Sequence, residues 1–374
     1  MSILEHVAVD PDTDLDLWLQ LKQKLTWLIA SGQVPPGERL PSVRRMAGHL
    51  GIHVNTVRAA YQRLEAEGLA VTRHGSGTRV LPYDPLRAAQ QASALRTHTV
   101  GVLVPRLSNP FYPALLQGVE EVARAGHTLL FICNTDDDPQ TGQAYLDLLT
   151  ARGADGLIIA PCGLRPDQSQ GLTRLDPAAS PIPIVGVDRP GEAGYAVLLD
   201  SEGAGYAATR HLIQHGHRRI GLITCYPDTL TLRLCYQGYL QALTEAGLSA
   251  PPDLVAIASA FTTQAGYAAA GELLEGPDPP GAIFAAGDVL AAGAMQALKA
   301  RGLAIPAQVA LVGYNDLELA ALVEPPLTSV AAPMRELGAA AMRMLAGLIA
   351  GKTPEPPRIT LPTRLVVRRS CGCG

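Results

Sequence analysis

Asn55, Arg58 and Gln62 are polar side chains whose types and spacing suit contact with the edges of DNA bases. Positions i, i+3 and i+7 of a helix lie on one face, so the three side chains would project together. Arginine can donate two hydrogen bonds to guanine, and asparagine and glutamine can pair with adenine in the major groove. The Thr56 hydroxyl beside them suits a phosphate or a base. The pattern indicates a helix that reads the major groove.

A helix-turn-helix pattern would position this polar face. Ser42 supplies a capping hydroxyl at the start of a first helix, and Gly51 breaks that helix after Leu50. A second helix is predicted to start near His53. Its apolar residues at positions 57, 61 and 64 form an inward stripe. An amphipathic helix over residues 15–30 is expected to pack under the pair.

A hairpin is predicted after the second helix. Residues 69–73 and 78–81 flank the run His74-Gly75-Ser76-Gly77, whose glycines permit the positive φ of a hairpin tip. Arg73, His74 and Arg79 lie on or beside this tip, where they could enter the minor groove or bind phosphate.

Basic residues are concentrated in this segment. Residues 17–82 carry nine Lys or Arg and three acids, a formal charge of +6, whereas the whole chain carries −4. A basic segment on an acidic protein is an electrostatic signature of nucleic-acid binding. The alternative is a small amphipathic motif with a solvated basic face, and the hairpin and the charge favour the DNA reader.

The segment resembles the winged helix-turn-helix of the GntR family of bacterial transcription regulators. The matching runs are Pro-Gly-Glu-Arg-Leu-Pro-Ser at 36–42, Asn-Thr-Val-Arg at 55–58, Leu-Glu-Ala-Glu-Gly-Leu at 64–69, and Gly-x-Gly-Thr-x-Val at 75–80. The resemblance covers about the first eighty residues and implies double-stranded operator DNA as a partner. The DNA contacts that it implies are Arg44, His53, Asn55, Thr56, Arg58, His74 and Gly75.

Length and composition indicate a soluble globular protein of at least two domains, since the chain has 374 residues and 47% of them are hydrophobic. The predicted boundaries are 12–82 for the winged helix-turn-helix, 83–97 for a partly helical linker and 98–374 for a second unit. The first residues lack the basic start and apolar core of a signal peptide, and no apolar run reaches membrane-spanning length. We expect a cytoplasmic protein with no membrane association.

The six cysteines are scattered, which favours thiols over a disulfide framework in a reducing compartment. Cys371 and Cys373 could supply two metal ligands, but no second cysteine pair of this kind completes a tetrahedral site. We therefore expect structural thiols and no metal site.

From residue 99 onward, short apolar runs alternate with helical segments. The runs TVGVLV, HTLLFIC, GLIIAP and IPIVGV begin the series, and the rhythm repeats from AVLLD through RIGLITC, LVAIAS, AIFAAG and VALVGY. Such runs predict parallel strands buried on both faces of a doubly wound α/β sheet. Two repeats in series predict two lobes, with a ligand cleft beyond the carboxyl ends of the strands.

This region resembles the periplasmic-binding-protein-like effector domain of the LacI/GalR regulators. Matching runs include VGVLVPRLSNPFY, IPIVGVDR, HLIQHGHRRIGLI and VGYND. The resemblance implies a small effector, with sugars as the leading class, bound between the lobes. Cys235 stands where the family's R-x-x-G motif has its Arg, and Gly287 stands where an Asn is usual. The predicted effector-binding residues are Asn109, Phe111, Tyr112, Asp188, Arg233, Asp288 and Asn315.

Some of these residues also have a structural interpretation, because Asn109 and Asp288 could cap helices and Phe111 could pack in the core. Their convergence on one rim favours ligand binding. A DNA reader followed by such a sensor is similar in arrangement to the arabinose repressors of Gram-positive bacteria. It predicts a homodimeric repressor that a ligand releases from DNA.

Two other classes of protein compete with this interpretation. GntR readers are also fused to pyridoxal-phosphate enzymes, but Lys299 and Lys352 are the lysines beyond the reader and neither suits a buried Schiff base. A solute-binding protein would need a signal peptide. We therefore expect no catalytic residues and no cofactor.

Overall fold

The computed structural model describes residues 3–10, 16–30, 33–73, 77–82, 97–160, 180, 182–188, 194–226 and 229–373. The predicted linker lies outside these ranges except for Thr97, and so do His74 and Gly75 of the hairpin tip. Within the described residues, no helix is long and apolar enough to cross a membrane.

The N-terminal segment folds as the predicted helix-turn-helix with a hairpin. Helices α1, α2 and α3 span Leu17–Ala30, Val43–Leu50 and Val54–Ala66, and strands β1 (Ala70–Arg73) and β2 (Gly77–Val80) pair antiparallel. The Ser42 hydroxyl caps α2 by accepting a hydrogen bond from Arg45 N at 3.2 Å. Gly51 ends α2 in the left-handed conformation, with φ at 65°. The predicted helix-turn-helix followed by a hairpin is confirmed.

A small apolar core supports the DNA-reading helices. Val57, Tyr61 and Leu64, the predicted stripe of α3, are at most 3% exposed and pack against α1 and α2. The core also takes in Ile3 and Val7, which precede the boundary predicted at residue 12. Burial of this stripe leaves the opposite face of α3 to solvent.

The remainder of the chain alternates strands and helices as predicted. The strands are β3 (Thr99–Val104), β4 (Leu129–Asn134), β5 (Gly156–Ile159), β6 (Ile184–Val187), β7 (Tyr195–Leu199), β8 (Ile220–Cys225), β9 (Val255–Ala258), β10 (Ala282–Ala285), β11 (Ala310–Asn315), β12 (Thr328–Ala331), β13 (Arg358–Leu361) and β14 (Arg364–Val366). The helices are α4 (Phe111–Ala125), α5 (Pro139–Ala151), α6 (Ser201–Gln214), α7 (Leu230–Glu245), α8 (Thr263–Glu275), α9 (Asp288–Ala300), α10 (Glu318–Leu322) and α11 (Met334–Ile349).

Two sheets form the two lobes. Among the described residues, six strands make up each sheet, in the orders β13-β7-β6-β5-β3-β4 and β14-β12-β11-β10-β8-β9. Neighbouring strands are parallel except for β12 with β14. Parallel strands are covered on both faces, which is why the sequence shows continuous apolar runs instead of alternation. The predicted α/β class is confirmed.

The prediction that the lobes follow one another in series is wrong. β7, which was expected to open the second lobe, lies inside the first sheet beside β6. After β12 the chain returns to the first lobe, where α11 packs on α4 and β13 joins β7, and β14 then pairs with β12 in the second lobe. In the described residues, the chain therefore crosses between the lobes three times.

Helices of each lobe meet at backbone distance through pairs of glycines. A Cβ atom on Gly118 of α4 would overlap Arg335 O, and one on Gly338 of α11 would overlap Leu115 O. Since any other residue carries a Cβ, this approach requires glycine. The same reciprocal arrangement joins α6 to α7 and α8 to α9. Its residues are Gly205 with Gly238, and Gly266 with Gly293.

Two glycines of α11 make a matched test of this packing. Replacing Gly338 by Ala should lower the free energy of unfolding by about 1–3 kcal/mol, because α4 must move away. Gly347 lies in the same helix with no atom near its would-be Cβ, so Gly347→Ala should raise stability by up to about 1 kcal/mol. Urea unfolding of the full-length chain measures both. Equal effects of the two substitutions would contradict the packing argument.

Candidate functional site

The outer face of α3 presents the side chains predicted to read DNA. Asn55 and Arg58 are exposed, and Arg58 Nη1 donates a hydrogen bond to Asn55 Oδ1 at 2.6 Å. His53 caps the helix, since its Nδ1 accepts from Asn55 N at 3.2 Å, which leaves the ring proton on Nε2. Thr56 is half-buried beside them, and Arg44 is exposed on α2. Their contacts with DNA stay a prediction.

The hairpin carries two of the predicted cations. Arg73 ends β1 next to the tip and is exposed. Arg79 on β2 is exposed as well, and its Nη1 donates to Gly37 O at 2.8 Å, which holds it against the body of the reader. Arg73 is therefore better positioned than Arg79 for a phosphate beyond the tip.

A large cleft lies between the lobes, beyond the carboxyl ends of the strands. It contains about 840 Å³ of empty space, including the part open to solvent. Segments after β3, β4 and β6 and the end of β7 line it from the first lobe, and segments after β8, β9 and β10 and the end of β11 line it from the second. Five of the predicted effector residues are part of this lining: Asn109, Phe111, Tyr112, Asp188 and Asn315.

Asp188 joins the two lobes at this cleft. Its Oδ2 accepts from the Thr231 hydroxyl at 2.6 Å and its Oδ1 accepts from Leu199 N at 3.2 Å. The residue is 7% exposed and has a φ of 51°. Burial raises the pKa of Asp188, while the hydrogen bonds from Thr231 and Leu199 oppose that shift. A polar group with this little solvent is sensitive to any donor that a ligand brings.

Aromatic rings supply the apolar part of the lining. Phe111 and Tyr112 lie edge to face with centroids 5.2 Å apart, and Tyr226 and Phe261 lie 6.1 Å apart on the second lobe. Tyr314 completes the set. Asn109, next to the first pair, lines the cleft, and its Oδ1 accepts from the backbone N of Phe111, the first residue of α4, at 3.0 Å. The N-cap position of α4 itself is Pro110. Asn109 therefore has a local hydrogen bond and still borders the space for a ligand.

Sequence reasoning missed an ion pair in the cleft. Arg106 Nη2 lies 3.2 Å from Asp137 Oδ2, and both residues line the cavity. They follow the carboxyl ends of β3 and β4, so the rule used for the other loops could have found them. Phe261 and Tyr314 were missed in the same way, and Tyr226 and Thr231 were not among the predicted effector residues although they also follow the carboxyl end of a strand.

Two predicted effector residues lie elsewhere among the described residues. Arg233 is exposed on α7 and is not in the cleft lining, because it lies on another side of the helix from Thr231 and Leu232. Asp288 has no exposed surface. Its carboxylate accepts from the Ser329 hydroxyl at 2.6 Å and from Leu317 N at 2.6 Å, so it joins α9 to β12 and the segment after β11.

Comparisons with known proteins agree with this architecture. Residues 17–80 match the gntR family of bacterial regulatory proteins, and residues 209–371 match the periplasmic binding protein-like domain. The HTH-type transcriptional regulator DegA of Bacillus subtilis (strain 168) is 34% identical over 290 residues, which cover 78% of this chain and 86% of DegA. The chain belongs to the LacI/GalR group of transcriptional regulators.

Other relatives and solved structures extend the similarity of this LacI/GalR-type regulator. The ribose operon repressor of Escherichia coli (strain K12) is 31% identical over 334 residues, which are 88% of this chain and all of that protein. The transcription regulator CcpA of Lactococcus lactis has a TM-score of 0.68 at 26% identity, covering 74% of this chain and 99% of CcpA. A complex of the transcriptional regulator CelR with cellobiose has a TM-score of 0.67 at 29% identity, covering 88% of this chain and 100% of CelR. The protein is thus a DNA-binding transcriptional regulator with a GntR-type reader.

The buried acid of α9 gives this regulator a testable pH dependence. Burial raises the pKa of Asp288 to about 7, although hydrogen bonds from Ser329 and Leu317 lower it. An unfolded Asp titrates near pH ~3.9, so the folded state binds the proton more tightly. The free energy of unfolding should therefore fall as the pH rises from about 4 to about 7, by at most about 4 kcal/mol.

Substitution of Asp288 isolates this contribution. Asp288→Asn removes the titration, so urea unfolding of that variant should depend less on pH within this window. Asp147→Asn, which changes an exposed acid on α5, should keep the wild-type slope. If Asp288→Asn keeps the wild-type slope too, the buried carboxyl group is not the cause.

Proposed function

We propose that the protein is a repressor whose affinity for operator DNA is controlled by a sugar-like effector in the cleft. The observation that carries this proposal is the lining of the cleft, because polar and aromatic side chains from both lobes converge on one space. A ligand there would contact both lobes. A repressor also needs a surface that binds DNA, and the reader supplies it. Helix α3 buries its apolar stripe and leaves a basic, polar face exposed.

The lining suits a polyhydroxylated molecule. The Arg106–Asp137 pair and Asp188 offer charged donors and acceptors, and Thr229 and Asn315 add neutral ones. Hydrogen bonds to charged groups are stronger and more selective than those between neutral groups. The rings across the cleft would pack against the C–H faces of a sugar. Nucleobases, which also stack on aromatic rings, are the second class of candidate.

Lobe closure is the mechanism that we propose for the response. A ligand that contacts both lobes favours the closed cleft, because only the closed form makes all of its contacts. In a dimer, closure would change the spacing of the two readers relative to their half-sites. We propose that this relieves repression.

We propose a regulatory and not an enzymatic role, since relatives over most of the chain are named as transcriptional regulators. A protein that reads operator DNA works in the compartment that holds the DNA, so we place it in the cytoplasm.

The effector response can be separated from DNA binding by substitution. Asp188→Asn keeps the shape of the side chain and removes its charge, so it should weaken the response to a ligand and leave ligand-free operator binding unchanged. Arg58→Ala should lower operator affinity, by about 1–3 kcal/mol for a base contact, and leave ligand binding unchanged.

A thermal-shift screen of monosaccharides, disaccharides including cellobiose, and nucleobases would identify the ligand. Electrophoretic mobility shifts with and without it would then give the coupling.

The coupling must also be reciprocal, so operator DNA should weaken effector binding by the same factor, typically about 5- to 150-fold. A ligand that binds in the cleft and leaves operator affinity unchanged would exclude the proposed control. Loss of DNA binding in Asp188→Asn would instead assign this residue to the fold.

We also propose that the sensor forms a homodimer through equivalent edges of its two sheets. β4 ends the first sheet and exposes Leu129, Phe131 and Ile132 by 49–68%, and β9 ends the second and exposes Ile257 by 55%. Exposed apolar edge strands are aggregation-prone unless they are covered. Two half-sites on an operator need two readers, and a second copy would cover both edges.

Charged substitutions on these edges test the dimer. Phe131→Asp together with Ile257→Asp should give a monomer in sedimentation-velocity runs at micromolar concentration and weaken operator binding. Leu322→Asp changes a side chain of α10 that is 75% exposed and lies away from both edges, so it should remain dimeric. A wild-type monomer, or an edge variant that stays dimeric, would contradict this interface.

A further inference from the structure

Metal-ligating side chains cluster at the end of α6. His211 and His215 lie one helical turn apart, and the C-terminal tail brings Cys373 to them, with Cys371 beside Cys373. Cys373 Sγ is 3.2 Å from His211 Nε2 and 3.0 Å from Cys371 Sγ. One ligand atom from each of His211, His215 and Cys373 lies within 4.8 Å of the others. The two histidines therefore supply the second pair of ligands, which no further pair of cysteines supplies.

We propose that His211, His215, Cys371 and Cys373 bind one thiophilic d¹⁰ metal ion, of the Zn²⁺ type, in a tetrahedral Cys₂His₂ site. Usual bond lengths place two sulfurs of such a site about 3.8 Å apart and a sulfur and a nitrogen about 3.6 Å apart. The two observed separations of Cys373 Sγ, from Cys371 Sγ and from His211 Nε2, are shorter than these values by less than about 1 Å. Side-chain rotations that widen these contacts and bring Cys371 and His215 toward each other would admit the ion. Two histidines at i and i+4 on one helix face are a chelating arrangement.

The surroundings also favour a cation here. His215 Nδ1 lies 2.8 Å from His211 O, and a carbonyl oxygen can only accept, so Nδ1 carries the proton and Nε2 keeps its lone pair for a metal. Both histidines lie at the C-terminal end of α6, where the helix dipole is negative. The Thr328 hydroxyl lies 3.1 Å from Cys371 Sγ and orients it.

The tail is held so that its cysteines reach the helix. Ser370 is fully buried, donates to Leu311 O at 2.6 Å and accepts from Thr328 N at 2.8 Å. An ion here would join α6 to the C-terminal tail within the second lobe.

Cobalt binding tests the site directly. The full-length protein would be stripped with a chelator under a phosphine reductant and titrated with Co²⁺, then with Zn²⁺ in competition. We expect one metal per chain, with thiolate-to-cobalt charge-transfer absorption and the visible bands of tetrahedral Co²⁺. Zinc that is retained after desalting, measured by elemental mass spectrometry, should raise the thermal midpoint.

Two variants test the ligands, and a third serves as the control. Cys373→Ser and His215→Gln change partly or fully exposed side chains, so folding should survive, and each should weaken metal affinity at least ten-fold. His127→Asn changes an exposed histidine on the first lobe and should bind as the wild type does. Circular dichroism would verify that every variant is folded.

The site is excluded if the reduced wild type retains no Co²⁺ or Zn²⁺, or if Cys373→Ser or His215→Gln binds as tightly as the wild type. A Cys371–Cys373 disulfide in the intact mass of unreduced protein, without metal retention after reduction, would overturn the proposal and assign a redox pair instead.

Discussion

Asp188 connects the fold of the sensor to its cleft. The carboxyl group takes one hydrogen bond from each lobe, through Thr231 and Leu199, and lines the cavity at the same time. Burial makes a charged carboxylate costly, so the arrangement depends on these donors. A ligand that offers a donor to Asp188 would bind the same carboxyl group that Thr231 and Leu199 already contact. The Asp188 carboxyl group therefore links the occupancy of the cleft to the relative position of the lobes.

Asp288 shows how a similar sequence position can serve the fold. Like Asp188, it follows the carboxyl end of a strand, in this case a strand of the second sheet. Its oxygens, however, accept hydrogen bonds from Ser329 and Leu317 inside the lobe. The sequence places both acids at carboxyl ends of strands, and that rule does not say which neighbour each side chain meets. The direction is set by tertiary packing. This is why Asp188 lines the cleft and Asp288 does not.

Local chemistry predicted much of the fold. The stripe of α3 and the apolar run of β3 follow from periodicity and burial alone, since each reflects the number of covered faces. The return of α11 and β13 to the first lobe could not be predicted, because it depends on Gly118 and Gly338 meeting across more than two hundred residues. The cluster of His211 with Cys373 was hidden for the same reason. Residues far apart in sequence carry no periodic signal of their contact.

The described part of the sensor begins in the first lobe, at Thr97. Thr97, where the chain enters the lobe, is tied to the loop before β5 by hydrogen bonds of its backbone N to Asp155 Oδ1 at 3.2 Å and of its hydroxyl to Gly153 O at 2.8 Å. The entry point therefore moves with the first lobe. A coupling of about 1–3 kcal/mol suffices for regulation, and a single hydrogen bond between the lobes contributes on the order of 1 kcal/mol. Under the proposed mechanism, contacts that a ligand adds across the cleft, carried to Thr97 by movement of the first lobe, would therefore be large enough to alter how the reader binds.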